Sequence, residues 1–425
     1  MFRKKATWLS ALFVWLMFAA GAGHALGGDT GPTGQLQLFH NGGTGSCDGC
    51  HIIHPQGGIG NQTAAASQYM LLGSDPGSTC LMCHQKAGLV GPTGYFISTP
   101  ANEMPAGIPP KQLTPGGDFG WLNKNYPHDS GYTHGHDIVA ADYGYDPSPI
   151  YLYAPGGAFP SGSLTCTSCH DPHGTYRRNV DGTITTEGPK ICASGSYDTS
   201  ADPTTDCPVG VYRLLGGAGY QPDGASKPFM ANSPAAVAPS VYNRSESLTQ
   251  TRVAYGSGMS EWCANCHTSY LSPKQSHPAG DDVKLRNLAK NYNMYSGSGD
   301  DQGSEAASFL SLVPFEEGTA DYAVLKSHAK NDDSYLRGPD GSANVMCLTC
   351  HRAHASGWIY GLRFTASQTV ITASQEGKTV WPGIDTTGDP LGRTSAETSR
   401  AYYDMPASKF SRFQHSLCNK CHIQD

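Results

Sequence analysis

A fold that is mostly loop, with short helices, a few short strands and little regular secondary structure, is predicted by three features of this 425-residue sequence. Its 52 glycines and 29 prolines make about 19% of the chain, against an ordinary share of roughly 12%. Only a few short stretches carry a helical or strand period. The third feature is a Cys-x-x-Cys-His motif present six times. Two cysteines at this spacing form thioethers to the two vinyl groups of one haem, and the histidine that follows becomes the first axial ligand of its iron. Six large apolar macrocycles tied to the main chain can replace a core that loops alone build poorly. The fold class expected is therefore that of a haem-organised multihaem c-type cytochrome, one continuous unit over residues 26–425.

The motifs stand at Cys47/Cys50/His51, Cys80/Cys83/His84, Cys166/Cys169/His170, Cys263/Cys266/His267, Cys347/Cys350/His351 and Cys418/Cys421/His422. Zinc knuckles also use CxxC pairs. Histidine, however, is only 17 of 425 residues and yet follows all six pairs, which zinc binding does not require. The cofactor expected is six covalently bound haem c. Intervals between first cysteines are 33, 86, 97, 84 and 71 residues, so no fixed-period repeat is present.

Residues 1–25 read as a secretory signal peptide. Arg3, Lys4 and Lys5 precede an apolar run, 6–20, that is shorter than the roughly 20 residues needed to span a bilayer. No later stretch is apolar enough to be a membrane helix, so the mature protein is expected to be exported and not membrane-spanning. Without the three basic leader residues the formal charge moves from −7 to −10, and haem carboxylates push it further. That balance argues against a nucleic-acid partner.

Cys192 and Cys207 are the two cysteines outside the motifs. In an exported protein they are expected to form a disulfide, worth about 3 kcal/mol for a loop of this length. Asp181-Gly182 between β-prone runs signals a hairpin. A helix is expected over 281–292, with Leu285, Leu288 and Tyr292 on one face, and another running to His328, capped by Thr319. Residues 364–372 and 378–381 alternate weakly and are expected to pair as strands.

Ten histidines remain after the six motif histidines and His24 of the leader are set aside, enough for every iron to take a second one. His54, His173 and His354 each lie three residues after a motif histidine. Side chains so spaced sit about 5–6 Å apart. They cannot take opposite faces of one ring, so each is expected to serve a different haem from the histidine before it. His328 shares the apolar face of Val324 and Leu325, which should pack on a haem, and is expected to be a ligand. His134 and His136 flank Gly135 and point to opposite sides of an extended segment, so one of the two is expected to reach an iron. His40, His128 and His415 have no such context and are read as surface residues. Irons with two histidines pass electrons and leave no open position for a substrate. A nitrite- or hydroxylamine-type reductase would need such a position, often announced by lysine in place of the motif histidine; all six motifs here end in histidine. No enzymatic activity is expected.

Segments 104–121 (MPAGIPPKQLTPGGDFGW), 258–268 (GMSEWCANCHT), 315–333 (FEEGTADYAVLKSHAKNDD) and 417–422 (LCNKCH), with CHDPHGTYRR from Cys169 and CHRAHASG from Cys350, closely resemble the hexahaem OmcS-type cytochromes of metal-reducing bacteria. The likeness runs from about Phe39 to the C-terminus. It implies a secreted, loop-rich protein that polymerises head to tail into an extracellular filament. Such a filament takes electrons from other envelope c-type cytochromes and passes them to external acceptors such as metal oxides. By resemblance the second ligands are His54, His136, His173, His277, His328 and His354, with His54 crossing the subunit boundary to the haem on Cys347, Cys350 and His351 of a neighbour. A monomeric periplasmic or surface cytochrome would use the same haems without polymerising. The Cys192/Cys207 pair and residues 27–38 stand outside the family pattern.

Overall fold

The computed structural model describes residues 40, 47–52, 70–85, 96–271, 277–382 and 392–424. The expected leader, the extra piece at 27–38 and His54 lie outside the described residues. Among the described residues, regular structure is confined to short pieces. The helices are α1 (Pro76–His84), α2 (Met259–Cys263), α3 (Leu288–Met294), α4 (Tyr322–His328), α5 (Cys347–Cys350), α6 (Ser395–Ala401) and α7 (Asn419–His422). The strands are β1 (Arg177–Arg178), β2 (Ile184–Thr185), β3 (Val209–Gly210), β4 (Ala236–Val237), β5 (Ala254–Tyr255), β6 (Ala373–Gln375) and β7 (Lys378–Val380). They form antiparallel sheets β2-β1-β3, β4-β5 and β6-β7. Among the described residues no helix is long and apolar enough to cross a membrane. The loop-dominated fold class read from glycine and proline content is the one observed.

Local chemistry explains several elements. Pro76 opens α1, where its missing N–H costs nothing, and the Asp75 carboxylate accepts from the Ser78 amide at 2.7 Å. The hairpin at Asp181-Gly182 forms with Arg177 opposite Thr185, and Gly182 takes the φ of +83° that the turn requires. β3 pairs with the other edge of β1, and the Cys192–Cys207 disulfide, Cα atoms 5.5 Å apart, ties the loop that leads into it.

Three expectations shift. The helix expected over 281–292 begins only at Leu288, because Arg286 adopts the left-handed φ of 48° and breaks the preceding turn. Leu285 and Tyr292 are buried as expected, while Leu288 is exposed. α4 is capped by Asp321, whose Oδ1 accepts from Ala323 and Val324 at 2.9 and 3.1 Å, and not by Thr319, which accepts from the Asp321 amide at 3.1 Å. Residues 364–372 form no strand; β7 pairs instead with β6, Ser374 opposite Thr379.

Loops do build a core of their own. Phe119, Trp121, Trp358, Tyr402 and Met405 are all buried together with Leu285, Tyr292 and Leu312. The loop through 96–123 is folded around one carboxylate, Asp118, which is fully buried. It accepts from the Thr99 amide (2.8 Å) and hydroxyl (2.5 Å) and from the amides of Gln112 (3.1 Å) and Gly120 (2.7 Å). In a stretch with so little ladder structure, this one side chain satisfies amides that would otherwise be buried without a partner.

Asp118→Ala is therefore expected to lower stability by about 3 kcal/mol or more, since three amides and a hydroxyl lose their acceptor at once; the urea midpoint is the measurement. Replacing Cys192 and Cys207 together by serine is expected to cost about 3 kcal/mol by the same assay.

Candidate haem sites

Each motif is wound into about one helical turn. The Cys166 carbonyl accepts from the amides of Cys169 (3.2 Å) and His170 (3.0 Å), and the carbonyls of Cys47, Cys263 and Cys418 do the same in their own motifs. The second motif lies in the last turn of α1 and the fifth begins α5. This winding puts both sulfurs and the imidazole on one side of the backbone, as double attachment to one ring requires. All twelve motif cysteines are free of disulfides.

The three motifs with a second histidine share a further clamp. The motif histidine bridges to a leucine: His51 to Leu71, His170 to Leu215, His351 to Leu362. The residue after it donates to the carbonyl before that leucine, Ile52 to Met70, Asp171 to Leu214 and Arg352 to Gly361, each at 2.7 Å. Met70, Leu214 and Gly361 all carry positive φ, 51°, 52° and 65°. A left-handed residue turns the chain back sharply, and side chains other than glycine accept it only where the surroundings impose it.

Imidazoles from distant parts of the chain face one another across a constant gap. Ring centroids are 6.3 Å apart for His40/His84, 6.3 Å for His51/His173, 6.0 Å for His136/His267, 6.4 Å for His170/His354 and 6.1 Å for His277/His422. Two imidazoles bound through one nitrogen each to opposite sides of one iron, about 2 Å per bond, bring their centroids about 6 Å apart. The donor set thus fits bis-histidine iron.

Hydrogen bonds from the other ring nitrogen aim these lone pairs. Nδ1 of His170, His267, His351 and His136 lies 2.7 Å from the carbonyls of Arg213, Pro155, Tyr360 and Ala353 respectively. The His40 ring is hydrogen-bonded to the backbone of Pro172. A carbonyl only accepts, so Nδ1 carries the proton and Nε2 is left with its lone pair for a metal. Burial, reinforced by neighbouring histidines, lowers the pKa of His354 to about 3 and those of His40 and His136 to about 4. These rings are therefore neutral, the form that ligates.

Neighbouring motifs approach one another through their cysteines. Cys80 and Cys166 hydrogen-bond to each other, as do Cys263 and Cys347. Burial and then Cys80 and Cys83 raise the Cys50 pKa; burial and then Cys266 push Cys169 to about 12; burial and then Cys418 and Cys421 do the same to Cys350. The six motifs accordingly stand in space in their order along the chain.

The histidines expected as second ligands divide. His136, His173, His277 and His354 each face a motif histidine. His328 does not. Its Nδ1 is 2.5 Å from Glu317 and its face is stacked on Tyr335 at 4.2 Å. Helix α4 turns Val324 to solvent and buries Leu325, so the face carrying His328 is not the one on which the expectation was built. The imidazole opposite His84 is instead His40, read from sequence as a surface residue. No motif spacing marks it; the contact that places it, the Pro172 carbonyl, is 132 residues downstream. Among the described residues no imidazole faces His351.

No family model matches the chain. It is 50% identical over 407 residues to the C-type cytochrome OmcS of Geobacter sulfurreducens, spanning 91% of this chain and 94% of the relative. The chain belongs to the OmcS family of c-type cytochromes. Two solved OmcS structures share the fold. One is described as the OmcS nanowires from Geobacter sulfurreducens by cryo-EM, with a TM-score of 0.84 at 50% identity, and the other as the Outer Membrane Cytochrome S filament from the same organism, with 0.83 at 49%. Each comparison covers 91% of this chain and all of the OmcS chain. The likeness to the OmcS fold thus covers 91% of this chain.

Proposed function

We propose that this protein is an extracellular electron conduit: a hexahaem cytochrome with no substrate chemistry of its own, exported after removal of residues 1–25 and polymerised head to tail. The observation that carries this reading is the series of facing imidazoles at 6.0–6.4 Å on motifs that follow one another in space. Six haem c groups would be attached at the twelve motif cysteines. His51, His84, His170, His267, His351 and His422 would be proximal ligands, opposed by His173, His40, His354, His136, His54 of a neighbouring copy and His277 in that order. His40 takes the place first assigned to His328. Each haem, when bound, supplies a one-electron iron couple of low potential.

The protein's part is to hold and insulate. Thioether sulfurs fix each ring at two points. Main-chain carbonyls on Nδ1 fix the imidazole planes and raise their basicity. Two histidines per iron leave no position for a substrate. Phe119, buried and stacked 4.7 Å from His354, shields that imidazole from water, and Tyr270 stacks 5.8 Å from His267. Other envelope c-type cytochromes would be the donors, and external oxidants such as metal oxides the acceptors.

Polymerisation is supported by His351, exposed and faced by no imidazole among the described residues, and by the filament form of the two OmcS structures. In this reading His54 of a second copy would supply the imidazole for His351.

His54→Ala is expected to leave six covalent haems by mass but abolish filaments seen by electron microscopy of protein sheared from cells. Unchanged filaments would refute the cross-subunit ligand. His40→Ala is expected to convert one low-spin haem to high-spin in the oxidised protein's electron paramagnetic resonance spectrum, whereas His328→Ala leaves every low-spin signal in place; the reverse pattern would restore His328 as the ligand.

A further inference from the structure

The two residues between the cysteines differ from motif to motif: Asp48-Gly49, Leu81-Met82, Thr167-Ser168, Ala264-Asn265, Leu348-Thr349 and Asn419-Lys420. A basic residue stands there only in the sixth. A lysine on a short terminal turn would ordinarily extend its ammonium into water. Lys420 does not, and is 6% exposed. Helix α7, which carries it, packs on α3, where Asn291 Nδ2 donates to the Cys421 carbonyl at 3.2 Å. Lys420 Nζ donates to the Tyr295 carbonyl at 2.7 Å and lies 4.5 Å from the centre of the Tyr292 ring. Tyr292 is fixed in turn, its hydroxyl donating to the Val313 carbonyl at 2.8 Å.

A carbonyl oxygen and an aromatic face both favour an ammonium over an amine, but neither cancels its charge. The contrast is with Lys124, the other buried lysine among the described residues, which is paired with Glu397 at 3.1 Å. Among the described residues Lys420 makes no such ion pair. A buried cation without a counter-ion is costly, and its field is little screened. The redox group nearest to it along the chain is the one that Cys418 and Cys421, on either side of it, would hold.

We propose that Lys420 is a potential-tuning residue, whose buried and carboxylate-free ammonium raises the reduction potential of the iron held at Cys418, Cys421 and His422. Reduction removes one positive charge from the iron, so a fixed cation beside it disfavours the ferric state. The sixth site then keeps an electron in preference to sites whose motifs carry no cation. This rests on the haem reading above and adds to it an ordering of the six.

The test is a potentiometric titration of the purified holoprotein, wild type beside Lys420→Gln, Lys420→Met and Lys420→Arg. Glutamine keeps a donor for the Tyr295 carbonyl without the charge, methionine keeps neither, and arginine keeps the charge. The sixth site can be followed by itself. The planes of His277 and His422 stand at 85°, against 16° for His40/His84 and 10° for His51/His173. Crossed imidazoles on a low-spin ferric iron give an electron paramagnetic resonance line at lower field than parallel ones. In the glutamine and methionine variants that line is expected to persist to lower potential, the oxidised-to-reduced ratio rising about tenfold at fixed potential, 59 mV for a one-electron couple. The arginine variant is expected to titrate as the wild type does. Six haems by mass with no shift in the glutamine variant, or an equal shift in all three, would overturn the inference and leave Lys420 as a structural tie. Fewer than six haems in the wild type would overturn the haem reading instead. A measurement that needs no variant is the order of loss in the wild type, where the crossed-plane line is expected to vanish before those of the two near-parallel pairs. Its vanishing after them would also overturn the inference.

Discussion

An imidazole binds a metal only with one nitrogen lone pair aimed at it, and in this chain main-chain carbonyls on Nδ1 fix how His136, His170, His267 and His351 present Nε2. The Nδ1 hydrogen bonds to Arg213, Pro155, Tyr360 and Ala353 are all 2.7 Å. Each requires a carbonyl turned out of any helix or ladder toward a side chain. A regular element spends its carbonyls on its own amides. A protein that aims so many rings with backbone oxygens therefore cannot be made of long helices or wide sheets. The loop-rich composition follows from the ligand geometry as much as it permits it.

Left-handed residues make those carbonyls available. Arg213 and Tyr360, at φ 53° and 60°, present the oxygens that receive His170 and His351. Neither is glycine, so the conformation carries a cost that packing must offset. At Arg213 the compensation is visible. Its guanidinium lies 4.3 Å from the Tyr242 ring centre and 4.8 Å from that of Tyr197, and donates to the Tyr197 hydroxyl at 2.7 Å. The side chain anchors the strained turn, and the turn's carbonyl anchors the His170 ring.

How far the sequence could be read depended on the range of each constraint. The hairpin at Asp181-Gly182 and the cysteine pair are local and were legible. The rule that histidines three apart must serve different sites is also local, and His173 and His354 both face motif histidines other than their own. That His40 faces His84 while His328 stacks on Tyr335 was not legible. His328 has every local mark of a ligand, on a short helix with apolar neighbours, yet Glu317 and Tyr335 occupy its ring. What singles out His40 is a carbonyl remote in sequence. The loop-built core was missed for a similar reason: Trp121, Trp358 and Tyr402 come from separate loops and show no periodicity.

The three-residue spacing of CxxC does more than attach. In the third motif Cys166 meets Cys80 of the site before, and Cys169 neighbours Cys266 of the site after. In the fifth, Cys347 meets Cys263, and Cys350 neighbours Cys418 and Cys421. One sulfur thus looks back along the series and the other forward, separated by a single helical turn of about 5 Å. Contacts alternate between first cysteine to first cysteine and contacts made through the second cysteine of an odd motif. An alternating series of this kind can be extended without a change of rule, whether the next motif belongs to the same chain or to another. Spacing along the series is then fixed by covalent geometry within each odd motif, and only the turn from one motif to the next is left to tertiary packing.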